Sequence, residues 1–311
     1  ATWFATTFGQ IADNVERAVL GKRHVVELVL TAMLSDGHVL LEDVPGTGKT
    51  MLARALARSV AVDMKRLQCT PDLLPSDITG VPIYNQKTAE FEFRPGPVFT
   101  HVLLADEINR ATPRAQSALL ECMEEFRVSV DGVTYELPKT FMVLATQNPI
   151  DMAGTYTLPE AQLDRFFVRL SIGYPSLADE LRILSAQAQS HPIDSLQPVI
   201  SEAEVLLARD AVKAVHVSPD VAKYAATITA ATRSHADLRL GASTRGALAL
   251  VRGAQGLALL RGRPFVTPDL VKEMCAPVLE HRLIVKPQSA ALGQSASTVL
   301  QSIVSMVLPP V

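Results

Sequence analysis

The stretch Leu40-Leu41-Glu42-Asp43-Val44-Pro45-Gly46-Thr47-Gly48-Lys49-Thr50 constrains this chain more than any other segment. An apolar strand runs into a glycine-rich turn and a Lys-Thr pair, and a helical pattern follows over Met51–Ser59. Gly46 and Gly48 let the backbone wrap phosphates with its N–H groups, and the helix N-terminus adds partial positive charge. On this reading Pro45, Gly46, Thr47, Gly48, Lys49, Thr50 and Met51 meet a nucleotide. Lys49 bridges the β- and γ-phosphates, and the Thr50 hydroxyl ligates Mg²⁺. The general GxxxxGK[ST] pattern expects glycine where this chain has Asp43, which weakens the motif taken alone.

A second apolar run, His101-Val102-Leu103-Leu104-Ala105, ends in Asp106 and Glu107 and is expected to neighbour the phosphate-loop strand. Asp106 is expected to hold Mg²⁺. Glu107, on the opposite side of the pleat, is placed to polarise an attacking water. A third run, Phe141 to Gln147, leads to Asn148-Pro149; Asn148 can position water beside a γ-phosphate, and Pro149 ends the strand. Alone, an Asp-Glu pair is an ordinary solvated helix lead-in and Asn-Pro an ordinary turn; only in combination with Lys49 do they point to nucleotide chemistry.

The remaining pattern is α/β followed by α. Apolar residues at helical spacing run from Phe8 to Leu34, with a break at Gly21-Lys22. Five short apolar runs follow at Val39–Val44, Met64–Cys69, Val102–Ala105, Phe141–Ala145 and Phe167–Ile172, which implies a parallel sheet. Two segments read as inserted hairpins, Val81–Phe93 and Val128–Tyr135, the second turning at Asp131-Gly132. After Pro175 strand signals stop, and Leu177 to Leu308 reads as all-helical, with starts at Ser218-Pro219-Asp220 and Thr267-Pro268-Asp269. Two domains are therefore expected, 1–190 and 191–311, divided within His191–Pro198.

Bulk properties narrow the partners. With 29 Lys plus Arg against 32 Asp plus Glu, the net charge of −3 gives no overall attraction to nucleic acid or anionic membrane. No apolar run approaches the ~18 residues of a membrane span, and Ala1-Thr2-Trp3 does not open a signal sequence, so a cytoplasmic protein is expected. The lack of an initial Met is taken as processing or trimming. Cys69, Cys122 and Cys275 have neither paired nor metal-ligand spacing and are expected as small buried apolar residues.

Taken together, these motifs resemble the MoxR family of AAA+ ATPases along nearly the whole chain. The most specific stretches are Leu41 to Thr50, Leu104-Ala105-Asp106-Glu107-Ile108-Asn109-Arg110-Ala111 through Glu121-Cys122-Met123-Glu124-Glu125, and Leu158-Pro159-Glu160-Ala161-Gln162-Leu163-Asp164-Arg165-Phe166. The resemblance implies an AAA+ P-loop core, a five-stranded αβα sheet with a helical lid. It makes Lys49, Gly48 and Thr50 the Walker A residues, Asp106 and Glu107 the Walker B pair, Asn148 the first sensor, Arg165 an arginine finger and Arg245 the second sensor. Leu20-Gly21-Lys22 resembles the segment that meets adenine. The hairpins resemble the helix-2 insert and the hairpin before the first sensor, with Tyr84, Asn85, Gln86 and Lys87 as candidate contacts to a remodelled partner.

An arginine at the γ-phosphate is worth ~10³–10⁵ in rate. In the family fold Arg165 lies too far from its own Lys49 and serves a neighbour, so a homo-oligomeric ring, most simply a hexamer, is implied. The alternative for Arg165 is an exposed ion pair with Asp164 or Glu160. Arg245 is expected to reach the phosphates from the lid, drawing the domains together with nucleotide. Arg252, Arg261 and Arg263 are read as solvated helix faces. The resemblance implies an ATP- and Mg²⁺-dependent, chaperone-like remodelling factor with von Willebrand factor A-domain partners. A DNA-dependent motor, disfavoured by the charge balance and the lack of a stacking platform, and a nucleotide-gated switch with little hydrolysis are the competing readings.

Overall fold

The computed structural model describes residues 2–149, 154–187 and 192–310, except the side chains of 186 and 187. The expected boundary after residue 190 lies outside the described residues.

Two helices open the chain, α1 (Thr2–Glu16) and α2 (Arg23–Leu34), on either side of the expected break. Five parallel strands then form one sheet: β1 (Val39–Glu42), β2 (Met64–Gln68), β5 (Val102–Asp106), β8 (Met142–Gln147) and β9 (Val168–Leu170). Helices α3 (Lys49–Ser59), α4 (Pro75–Thr79), α5 (Pro113–Glu125) and α6 (Glu160–Leu163) lie between strands, as do two antiparallel hairpins, β3 (Gly80–Asn85) with β4 (Glu90–Pro95) and β6 (Arg127–Val130) with β7 (Val133–Glu136). Asp131 and Gly132 both take positive φ, 50° and 79°, as a two-residue hairpin turn that follows the strand twist requires.

The strand order is β2-β5-β8-β1-β9. Contrary to the sequence expectation, the strand carrying Asp106 does not neighbour the phosphate-loop strand; β8 pairs with both and lies between them. This places the end of β8, with Asn148 just beyond it, between the strand that feeds the phosphate loop and the strand that ends in the two carboxylates. Register is continuous: Leu104 pairs with Leu144, Leu40 with Ala145, and Gln68 with Asp106.

Because strand side chains alternate, each inner strand fills two cores. Val39, Leu41, Val102, Leu104, Met142 and Leu144 face one side, joining α1, α2 and α3. Leu40, Leu103, Ala105, Val143 and Ala145 face the other, covered by Leu119, Leu120 and Met123 of α5. Cys69, Cys122 and Cys275 are all buried.

The remaining helices are α7 (Leu177–Gln187), α8 (Glu202–Ala214), α9 (Pro219–Ser234), α10 (Thr244–Leu260), α11 (Pro268–Leu279), α12 (Pro287–Ala291) and α13 (Ala296–Met306). Ser218 caps α9 and Ser243 caps α10 by accepting a backbone N–H. The segment is not wholly helical: β10 (Leu238–Leu240) and β11 (Ile284–Val285) pair antiparallel. These strands were missed because two or three residues are too short for a period, and Leu240 is exposed. Leu250, Ala254, Leu257 and Met274 share the apolar cluster of α1 and α2, so α10 and α11 pack directly against the helices that open the chain.

Candidate nucleotide site

A cleft of about 420 Å³ opens at the carboxyl ends of the strands, where open α/β sheets bind ligands. It is lined by Pro45, Gly46, Thr47, Gly48, Lys49, Thr50, Met51, Asp106, Glu107 and Asn148, all singled out from the sequence. Sequence reasoning missed Asp43, Arg66, Gln68, Thr146 and Gln147, which complete the lining. Arg66 and Gln68 belong to β2, and only the β2–β5 pairing brings them beside Asp106.

Gly46 and Gly48 take φ of 85° and 91°, and Gly48 caps α3 in the left-handed region, a backbone conformation open to glycine and of the kind that builds anion-binding loops. Lys49 Nζ donates to the carbonyls of Asp43 at 3.1 Å and Val44 at 2.8 Å. Burial lowers its pKa, an effect opposed by Asp43, Asp106 and Glu107. Asp43, the departure from the general motif, is buried, and its carboxylate accepts hydrogen bonds from Ser171 Oγ at 3.0 Å, Gly173 N at 3.2 Å and Ile172 N. A glycine could not make this tether between the phosphate loop and the end of β9.

Asp106 Oδ1 accepts from Thr146 Oγ1 at 2.7 Å, and Thr146 Oγ1 in turn accepts the Glu107 N–H at 2.8 Å. Asp106 Oδ2 accepts Arg66 Nε at 3.0 Å and Nη2 at 2.5 Å. Pleat alternation does not separate the two carboxylates as expected. Glu107 lies beyond the strand at φ 56°, a left-handed conformation costly for a side chain larger than glycine, and this turns both carboxylates toward one cleft. Gln68 Nε2 and Arg110 Nε hold Glu107 Oε2 at 3.4 and 3.2 Å.

The donor set suits Mg²⁺: the Thr50 hydroxyl and the Asp106 carboxylate are hard oxygens, and such sites take their remaining ligands from phosphates and water. Among the described residues no group of three or more His, Cys, Asp or Glu makes a cage for a metal.

Leu20 and Gly21 do not line the cleft, but the segment adjoins it, since a Cβ on Gly48 would lie 4.0 Å from Val19 Cγ1. Arg165 and Arg245 are also outside the lining; both bind Glu124 on α5, at 3.0 Å and 2.5 Å. The alternative partners expected for Arg165 are taken elsewhere, Asp164 by Arg282 and Glu160 by Arg239. Arg261 is not a simply solvated arginine, because it pairs with Glu273 at 2.7 Å and Glu27 at 3.1 Å.

The sequence matches two family profiles, the "ATPase family associated with various cellular activities (AAA)" over residues 38–168 and the "AAA lid domain" over residues 230–303. Chaperone MoxR1 of Mycobacterium tuberculosis is 40% identical across 96% of this chain and 81% of its own length. Protein MoxR of Paracoccus denitrificans is 32% identical across 86% of each. The chain belongs to the MoxR family of AAA+ ATPases. The uncharacterized Bacillus subtilis protein YeaC is 49% identical over 97% of the chain and 95% of its own length. A solved structure from Cytophaga hutchinsonii, assigned as an ATPase, superposes with a TM-score of 0.94 at 37% identity, covering 100% of this chain and 97% of that one. The MoxR family is a family of ATPases, so ATP binding accompanies the membership. Among the described residues no helix is long and apolar enough to cross a membrane.

Proposed function

We propose that this MoxR protein hydrolyses ATP with Mg²⁺ at sites shared between subunits of a homo-oligomeric ring, most simply a hexamer, and uses the cycle to remodel other protein complexes. The observation that carries the reading is a division of labour. Lys49, Thr50, Asp106, Glu107 and Asn148 share one cleft, whereas Arg165 and Arg245 stand together outside it on Glu124.

In the proposed site Lys49 and the loop N–H groups bind the phosphates. Thr50 and Asp106 hold Mg²⁺, which supplies charge neutralisation when bound. Glu107 accepts a proton from the attacking water, and Asn148 orients that water. Leu20 and Gly21 border the base. Arg165 and Arg245 of one subunit serve the nucleotide of the next, a change from the sequence expectation that Arg245 reaches the phosphates of its own subunit. The arginine that lines the cleft, Arg66, is already committed to Asp106.

Residues 1–190 and 191–311 are proposed as core and lid. Remodelling is supported by the name of the M. tuberculosis relative, a chaperone, and by the exposed Ile83, Tyr84 and Phe91 of the first hairpin. Partners with von Willebrand factor A domains are proposed on the family resemblance.

The test is ATP hydrolysis against protein concentration for wild type, Arg165→Ala, Glu107→Gln and an equimolar mixture of the two variants. Specific activity should rise with concentration, and the mixture should regain turnover that neither variant has alone. Activity independent of concentration with a silent Arg165→Ala would leave a monomeric nucleotide switch instead.

A further inference from the structure

We infer that Glu124 is the positioning residue of the shared site: its carboxylate sets Arg165 and Arg245 side by side, as one unit, for the nucleotide held by the adjoining subunit. The inference rests on the trans reading of these two arginines proposed above.

The geometry is specific. Glu124 Oε2 lies 3.0 Å from Arg165 Nη2, and Oε1 lies 2.5 Å from Arg245 Nη2. One carboxylate therefore bridges a residue next to β9 and a residue from the first turn of α10. Like charges brought this close repel, and a carboxylate between them removes that cost. A guanidinium has five N–H donors, so a bond through Nη2 leaves others for phosphate oxygens. Side-chain exposures of 29% for Arg165 and 49% for Arg245 leave both within reach of a second molecule.

The surroundings fix this pair as a unit. Asp164, adjacent to Arg165, accepts Ser243 Oγ at 3.0 Å, and Ser243 is the cap of the helix that carries Arg245. Buried Arg282 donates to Asp164 Oδ1 at 2.7 Å and to the Phe166 carbonyl at 2.7 Å. Beneath Glu124, the neighbouring Met123 carbonyl accepts from His38 Nε2 at 2.9 Å, which anchors the last turn of α5 to the start of β1. Two carboxylates, Asp164 and Glu124, thus join core and lid at the place where the two arginines emerge.

The experiment pairs variants in mixed rings. Glu124→Ala alone should lower kcat by about 100-fold, the scale of a misplacement near 1 Å, while directly measured nucleotide affinity stays at the wild-type value. Glu124→Gln, which keeps the size and one acceptor, should fall between. Mixed equimolar with Lys49→Ala, Glu124→Ala should regain turnover, because an intact cleft meets intact arginines. Mixed with Arg165→Ala, it should not, since both lack the same half. The reverse pattern, no regain with either partner, or turnover of Glu124→Ala at or above wild type overturns the inference. Failure of the Arg165→Ala and Glu107→Gln mixture would instead remove the shared site itself.

Discussion

Asp43 and Gly173 stand 130 residues apart in the chain, yet the Asp43 carboxylate accepts the Gly173 N–H at 3.2 Å and so fastens the phosphate loop to the end of β9. Asp43→Gly restores the general loop pattern but leaves the Ile172 and Gly173 N–H groups without their acceptor. It should lower stability by about 2–3 kcal/mol, read from urea unfolding without nucleotide. An unchanged midpoint would mean that water replaces the carboxylate.

Binding and turnover should separate at the cleft. Lys49→Ala should abolish binding of a fluorescent ATP analogue. Glu107→Gln should bind it normally and release phosphate about 10²–10⁴-fold more slowly, the usual worth of a positioned base.

In the proposed site Mg²⁺ would compete with Arg66 for one carboxylate, since Arg66 Nη2 sits 2.5 Å from Asp106. Chelating the metal should stop hydrolysis. Arg66→Ala should lower the Mg²⁺ concentration for half-maximal nucleotide binding by about two- to fivefold, the scale of one partly exposed ion pair. A rise instead would assign Arg66 to the phosphates.

Acid should weaken the fold before it affects most carboxylates. His38 Nδ1 accepts the Val143 N–H at 3.0 Å, which fixes the neutral ring, and burial lowers its pKa to about 4. His281 is pushed well down by burial and by Arg282 beside it. In the unfolded chain imidazole titrates near about 6.5, so between these values the unfolded state binds more protons and stability rises with pH. The contribution is complete above about pH 6.5 and is lost toward pH 4, amounting to roughly 3 kcal/mol for His38. Denaturant midpoints at pH 7.5, 6 and 5 should fall in that order, and His38→Gln should flatten the dependence.

Much of the site was legible because its chemistry is local. Gly46 to Met51 are consecutive, and each carboxylate or amide follows an apolar strand whose end is visible in the sequence. Both hairpins and the caps of the later helices were legible for the same reason, since turn and capping preferences act over a few residues. The sequence by itself therefore determined the phosphate loop, the strands that frame it and the α/β-then-α order.

Tertiary structure alone decided which strands are neighbours, and with that the insertion of β8 between β1 and β5 and the entry of Arg66 and Gln68 into the cleft. It also decided that Asp43 reaches Gly173 and that Arg165 and Arg245 meet on Glu124. Strand order and long-range side-chain pairing depend on how whole faces bury apolar surface and satisfy buried polar groups, and no short window of sequence carries that information.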